Sequence, residues 1–150
     1  MKKLDNYIIE KLKIGKNAVK PSKPLISIDL QNNDLIKIQT IKWIVTRSSY
    51  DSDLKQMRNY MNNNTDPETI ANRTKDPEHL IRRLYVAVVL EWNDAILILG
   101  NKLNTLNIPD YSLEMFHKFI FYELHRIKKT SILYESFNNY IELYNIEMEE

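Results

Sequence analysis

The feature that most limits the fold is the segment from Pro77 to Leu99, apolar on nearly every side from Leu84 to Leu90 and again from Ala95 to Leu99. A helix with one apolar stripe lies on a surface, whereas a helix that is apolar all round must be enclosed by others. The segment therefore predicts a central helix over about 77–99 and a chain long enough to surround it. Asp76-Pro77-Glu78 opens it: Asp accepts from first-turn amides, Pro suits the first helical position, and Glu complements the positive end of the dipole. Gly100-Asn101 offers a left-handed stop, and the alternative is a run to Leu106 before Pro109 forbids continuation.

The rest of the chain supplies the partners. Leu35, Ile38, Ile41 and Val45 recur at helical spacing after Asn33 and Asp34, either of which suits a helix start. Leu54, Met57 and Met61 predict a helix from near Ser52 to the polar run Asn62-Asn63-Asn64. Asp66-Pro67-Glu68 repeats the Asp-Pro-Glu start and predicts a short helix to about Thr74. Leu113, Phe116, Ile120, Leu124 and Ile127 line a helix capped by Asp110 or Ser112. Leu133, Phe137, Tyr140, Ile141 and Tyr144 line a last one from Thr130 or Ser131.

At the front, Leu4, Tyr7, Ile8 and Leu12 describe an amphipathic helix ending near Gly15, and Pro21 and Pro24 then favour an extended connection. Ile26, Ile28 and Leu30 alternate with polar residues, but a lone strand leaves its backbone unpaired, so an extended arm is expected rather than a sheet. The expected organisation is all-α. A single-domain bundle of about six or seven helices occupies 33–150, preceded by an amphipathic helix over 1–15 and a linker or arm over 16–32.

Composition agrees with one packed domain: 150 residues, 43% hydrophobic, with 2 Gly. The absence of Cys removes disulfides, thiolate metal sites and cysteine nucleophiles. The apolar run is interrupted by Glu91, Asn93 and Asp94, and the N-terminus has no signal-peptide core, so neither a membrane span nor secretion is expected.

Chemistry-bearing patterns are few. With glycines only at Gly15 and Gly100 no phosphate-cradling loop is available, and no nucleophile elbow occurs. Glu114 and His117 share a helix face in the Glu-x-x-His spacing of carboxylate-bridged metal bundles, but the second copy and further Glu that such a site requires are missing. His117 and His125 stand roughly 12 Å apart by helix rise, too far to share one metal. Neither a metal, a cofactor nor a catalytic activity is expected. Glu91 and Asp94 lie inside the predicted central helix, where an unpaired buried carboxylate is costly. Either their turn reaches solvent, or they pair with Arg82, Arg83 or Arg126, or they line a polar groove that takes a ligand.

Charge is polarised although the net is only +1. Met1 to Lys23 carries seven lysines, among them Lys2, Lys3, Lys11, Lys13 and Lys16, against Asp5 and Glu10. From Ser131 onward all charges are acids. The lysines around Tyr7 offer a grip on an acidic protein surface or on phosphate, or a head-to-tail contact with another copy.

The opening Met1-Lys2-Lys3-Leu4-Asp5-Asn6-Tyr7-Ile8-Ile9-Glu10-Lys11-Leu12-Lys13 resembles amphipathic leaders on proteins of large tailed bacteriophages, gut-phage relatives and T4-type capsid-targeting segments included. The resemblance covers the first tenth of the chain. It implies a protein directed into the prohead, with Glu10 at the position after which such leaders are cleaved.

The expected function is a non-enzymatic protein-interaction protein, a virion component or accessory factor of the bacterial host cytoplasm or the virion, with protein partners or self-association. The interaction residues expected are Lys2, Lys3, Tyr7, Lys11, Lys13, Lys16, Glu91 and Asp94. The alternative is a small nucleic-acid-binding or regulatory protein that adds Arg82, Arg83, Arg126, Lys128 and Lys129 to the basic head.

Overall fold

The computed structural model describes residues 25–148. The amphipathic helix expected over 1–15, with Lys2, Lys3, Tyr7, Lys11, Lys13 and Lys16, lies outside them. Within the described residues the chain is an all-α bundle with one minimal sheet. In order it forms β1 (Ile26–Ile28), α1 (Asp34–Val45), α2 (Tyr50–Asn62), α3 (Pro67–Arg73), α4 (Pro77–Val89) and α5 (Asn93–Leu106). A single 3-10 turn (Pro109–Tyr111), α6 (Leu113–Arg126), α7 (Ile132–Tyr144) and β2 (Ile146–Met148) complete it.

The enclosed helix is α4. Leu80, Ile81 and every residue from Arg83 to Val88 are buried, and α1, α2, α5 and α7 pack around it. The predicted single helix over 77–99 is instead two, and the reason is local. Leu90 ends α4; the Glu91 amide donates to Val88 O at 3.0 Å and the Trp92 amide to Ala87 O at 3.0 Å, with Glu91 left-handed at φ 54°. That bond pair closes a helix C-terminus by satisfying its last carbonyls. Glycine usually holds the left-handed position, and Glu in its place hides the stop from a sequence reader. The chain then re-enters helix at Asn93 and runs through Gly100 to Leu106, so the expected stop at Gly100-Asn101 is not used.

Glu91→Gly relieves the left-handed strain, and we expect a gain of about 0.5–1 kcal/mol in unfolding free energy. Urea titration of the two proteins checks it, and a loss of stability would contradict the left-handed closure.

Four helix starts behave as their chemistry directs, whereas Asn33, offered as a cap for α1, makes no side-chain cap bond. Asp66 and Asp76 accept from the amides of Glu68 and His79, and Ser112 and Ser131 accept from those of Met115 and Leu133. The C-terminal end of α3 is closed from outside its own sequence: the Lys102 ammonium on α5 donates to Ala71 O and, at 2.9 Å, to Thr74 O. A cation there answers both the free carbonyls and the negative end of the dipole.

The arm expected over 16–32 is corrected at its described end. Ile26–Ile28 pairs in parallel with Ile146–Met148, Ile26 opposite Ile146, and the Ile26 amide donates to Asn145 O at 2.8 Å. The partner strand lies 120 residues away in sequence (146 minus 26), beyond the reach of any local pattern. Ile28 is buried at 1% exposure, which fixes the strand against the bundle.

Candidate protein-docking face

Helix α1 has three faces. Ile38, Ile41, Ile44 and Val45 are buried in the core. A second face is charged and bound to α6: the Lys118 ammonium donates to the Asp34 carboxylate at 2.9 Å, and Lys42 lies 3.6 Å from Glu123. Burial by itself raises the Asp34 carboxyl pKa, yet the Gln31 amide and the Lys118 ammonium overcome it and hold the group below the usual carboxylate value. Glu123 in turn takes both guanidinium bonds of Arg126, at 3.1 and 2.8 Å. These contacts set the rotation of α1 about its own axis.

That rotation turns the third face outward, and it is apolar where a free surface helix is charged. Ile36 is 74% exposed, Trp43 62% and Leu35 42%. Together with Gln39 and Thr40 they line an open groove of about 510 Å³. The Arg47 guanidinium lies 4.6 Å from the Trp43 ring centre, as a stacked cation. The cations at the rim are each engaged by an acid of the same chain: Lys37 with Asp110 at 4.0 Å, Lys42 with Glu123, and Arg47 with Glu78 at 3.2 Å. The stripe is thus an uncharged apolar strip with a neutralised border. Sequence reasoning set Leu35 inward with Ile38 and Ile41, whereas it is exposed, and it passed over Ile36 and Trp43. The signal that finds them is that α1, like α4, is apolar on opposite sides.

The residues singled out from sequence fall elsewhere. Glu91 and Asp94 are exposed at the junction of α4 and α5, not a pair near the core. The Ser136 hydroxyl, which donates to Val89 O at 3.0 Å, has the Glu91 carboxylate at 3.4 Å. Arg82 is occupied by Asp53 at 2.8 Å. Arg83 is buried, donating to Thr74 Oγ1 and, at 3.0 Å, to Gln56 Oε1. With Arg126 bound to Glu123, three of the five described cations assigned to the nucleic-acid alternative are engaged by their own chain, leaving Lys128 and Lys129 exposed.

Glu114 and His117 do not converge. The Glu114 side chain is 77% exposed beside Lys118, whereas His117 is buried with Nδ1 2.7 Å from the Tyr140 hydroxyl. Burial pushes the His117 imidazole down to about 4, so it is neutral at pH 7. His125 Nδ1 bonds to Phe121 O. His79 contacts Asp53 at 3.7 Å, and burial, then Arg83 and Arg82, lower its pKa. Among the described residues no group of three or more His, Asp or Glu is placed to hold a metal ion, and no helix is long and apolar enough to cross a membrane.

Comparison of the chain with protein-family models, curated proteins and solved structures finds no match.

Proposed function

We propose that this chain is a non-enzymatic helical interaction protein that docks another protein on the outer face of α1. The observation that carries the reading is the uncharged strip of Ile36, Gln39, Thr40 and Trp43, held outward by the ion pairs that fasten α1 to α6. Covering an exposed Ile or Trp side chain stabilises an assembly by about 1.5–3 kcal/mol when burial is complete. Tryptophan and arginine are among the residue types over-represented at the energetic centres of interfaces. The likeness of the N-terminal leader to those of tailed-phage proteins supports a role among virion or accessory proteins.

A photo-crosslinking amino acid placed at Ile36 in the producing cell tests this. The expected result is one adduct of discrete mass, absent when the same group replaces Glu135, an exposed residue on α7. No adduct, or the same adducts from both positions, overturns the reading.

A further inference from the structure

We infer that the occupant of the α1 face is a second copy of this chain, packed antiparallel about a twofold axis passing between Gln39 and Thr40. The inference rests on the docking-face reading and names its partner.

The strip reads alike in both directions. Ile36, Gln39, Thr40 and Trp43 run apolar, polar, polar, apolar, symmetric about the midpoint between residues 39 and 40. A twofold contact demands this, because residue i meets residue j and j meets i. Antiparallel pairing sets Ile36 of each copy against Trp43 of the other, and Gln39 against Thr40, whose amide and hydroxyl each donate and accept. The same axis sets Lys37 of each copy level with Lys42 of the other, both already paired within their own chain, with Asp110 and Glu123.

Charge separates a second copy from the other occupant the chain itself offers, its N-terminal segment. Lys37, Lys42 and Arg47 already have their acids, so the strip offers no unpaired negative charge to a segment carrying seven lysines against Asp5 and Glu10. Another α1 strip brings an uncharged surface to an uncharged surface. Three exposed apolar side chains per copy are few beside the ~800 Å² per partner of stable interfaces, so the dimer dissociates on the order of micromolar concentration.

The absence of Cys makes the geometry directly testable in the full chain. Under mild oxidation Thr40→Cys, beside the axis, is expected to give disulfide-linked dimer well above a Glu142→Cys control. Ile36→Cys and Trp43→Cys each stay unlinked when alone, because seven residues of helix separate the pair by roughly 10 Å, beyond the 4.4–6.8 Å Cα span of a disulfide. An equimolar mixture of the two forms the mixed dimer. In sedimentation of the cysteine-free chain, Trp43→Asp weakens self-association by at least about tenfold, the effect of losing a central interface anchor.

Thr40→Cys linking no faster than the control overturns the inference, as does self-linking of Ile36→Cys, which reports parallel pairing. Dimer that forms only after removal of residues 1–24 overturns it too, because the leader then covers the face. If Thr40→Cys fails while the Ile36 photo-adduct carries the mass of a different protein, the second copy is excluded and the docking face stands.

Discussion

Acidification from pH 7 to pH 4 is expected to remove about 3 kcal/mol of unfolding free energy through His117 alone. The imidazole, whose ordinary value is 6.5, is lowered to about 4 in the fold, because burial among Tyr140 and Tyr144 disfavours its charged form. The unfolded chain therefore binds a proton between those values that the folded chain refuses. Stability is fully present above 6.5 and falls with pH, by up to 1.36 kcal/mol per unit, until about 4, where folded His117 itself titrates. The loss is a large share of the 5–15 kcal/mol available to a domain. Urea unfolding at stepped pH, compared with His117→Gln, isolates the term. A slope between pH 6.5 and 4 that the substitution leaves unchanged contradicts it, since His79, also lowered by burial, keeps a slope of its own.

The second large effect reverses a propensity rule. Gly100 lies inside α5, where replacement by Ala ordinarily gains up to about 1 kcal/mol. Here an added Cβ runs into the Tyr144 hydroxyl and meets Leu113 Cδ1 at 3.3 Å. The Tyr144 ring cannot simply swing away, because it packs 4.6 Å from His117 and 4.9 Å from Tyr140 by ring centres. Overpacking at such a site costs about 1–3 kcal/mol, so Gly100→Ala is expected to lose a net of about 1–2 kcal/mol, the overpacking outweighing the helix gain. Tyr144→Phe removes the obstructing oxygen and only a long bond to Ile96 O at 3.4 Å. The double variant Gly100→Ala with Tyr144→Phe should recover most of the loss. If Gly100→Ala is neutral or stabilising in thermal unfolding, the close approach of α7 to α5 is wrong.

What could be read from the residues alone follows a physical line. Caps announce themselves because their chemistry is local: Asp66, Asp76, Ser112 and Ser131 all accept first-turn amides, and the Asn run after α2 closes it with Asn64 left-handed. Among the described residues, three of the four left-handed residues outside glycine are Asn, which tolerates that conformation well, and the fourth, Glu91, is the one that concealed the break between α4 and α5. The β1–β2 pair was illegible because a strand three residues long gains its partner only through the closing of the entire bundle.

The candidate site was hidden by a different ambiguity. An apolar pattern all round shows that a helix must be covered, but not by what. For α4 the cover is α1, α2, α5 and α7. For α1 it is α4 and α6 on the inside, and over Ile36 and Trp43 no other helix of the described chain, only the Arg47 guanidinium stacked on the Trp43 ring. Glu91 and Asp94 drew attention as polar residues in apolar surroundings and Glu114 for its spacing to His117, and all three side chains are exposed.

The central claim, that the outer strip of α1 is a surface and not core, is tested most directly by guanidinium unfolding of Trp43→Asp beside Ile41→Asp at concentrations where the chain is monomeric. Trp43→Asp should unfold within about 0.5 kcal/mol of the parent with an unchanged denaturant slope, as an exposed position does. Ile41, at 0% exposure, should lose several kcal/mol or fail to fold when it becomes Asp. A Trp43→Asp protein as damaged as Ile41→Asp would contradict the account, because the strip would then belong to the core.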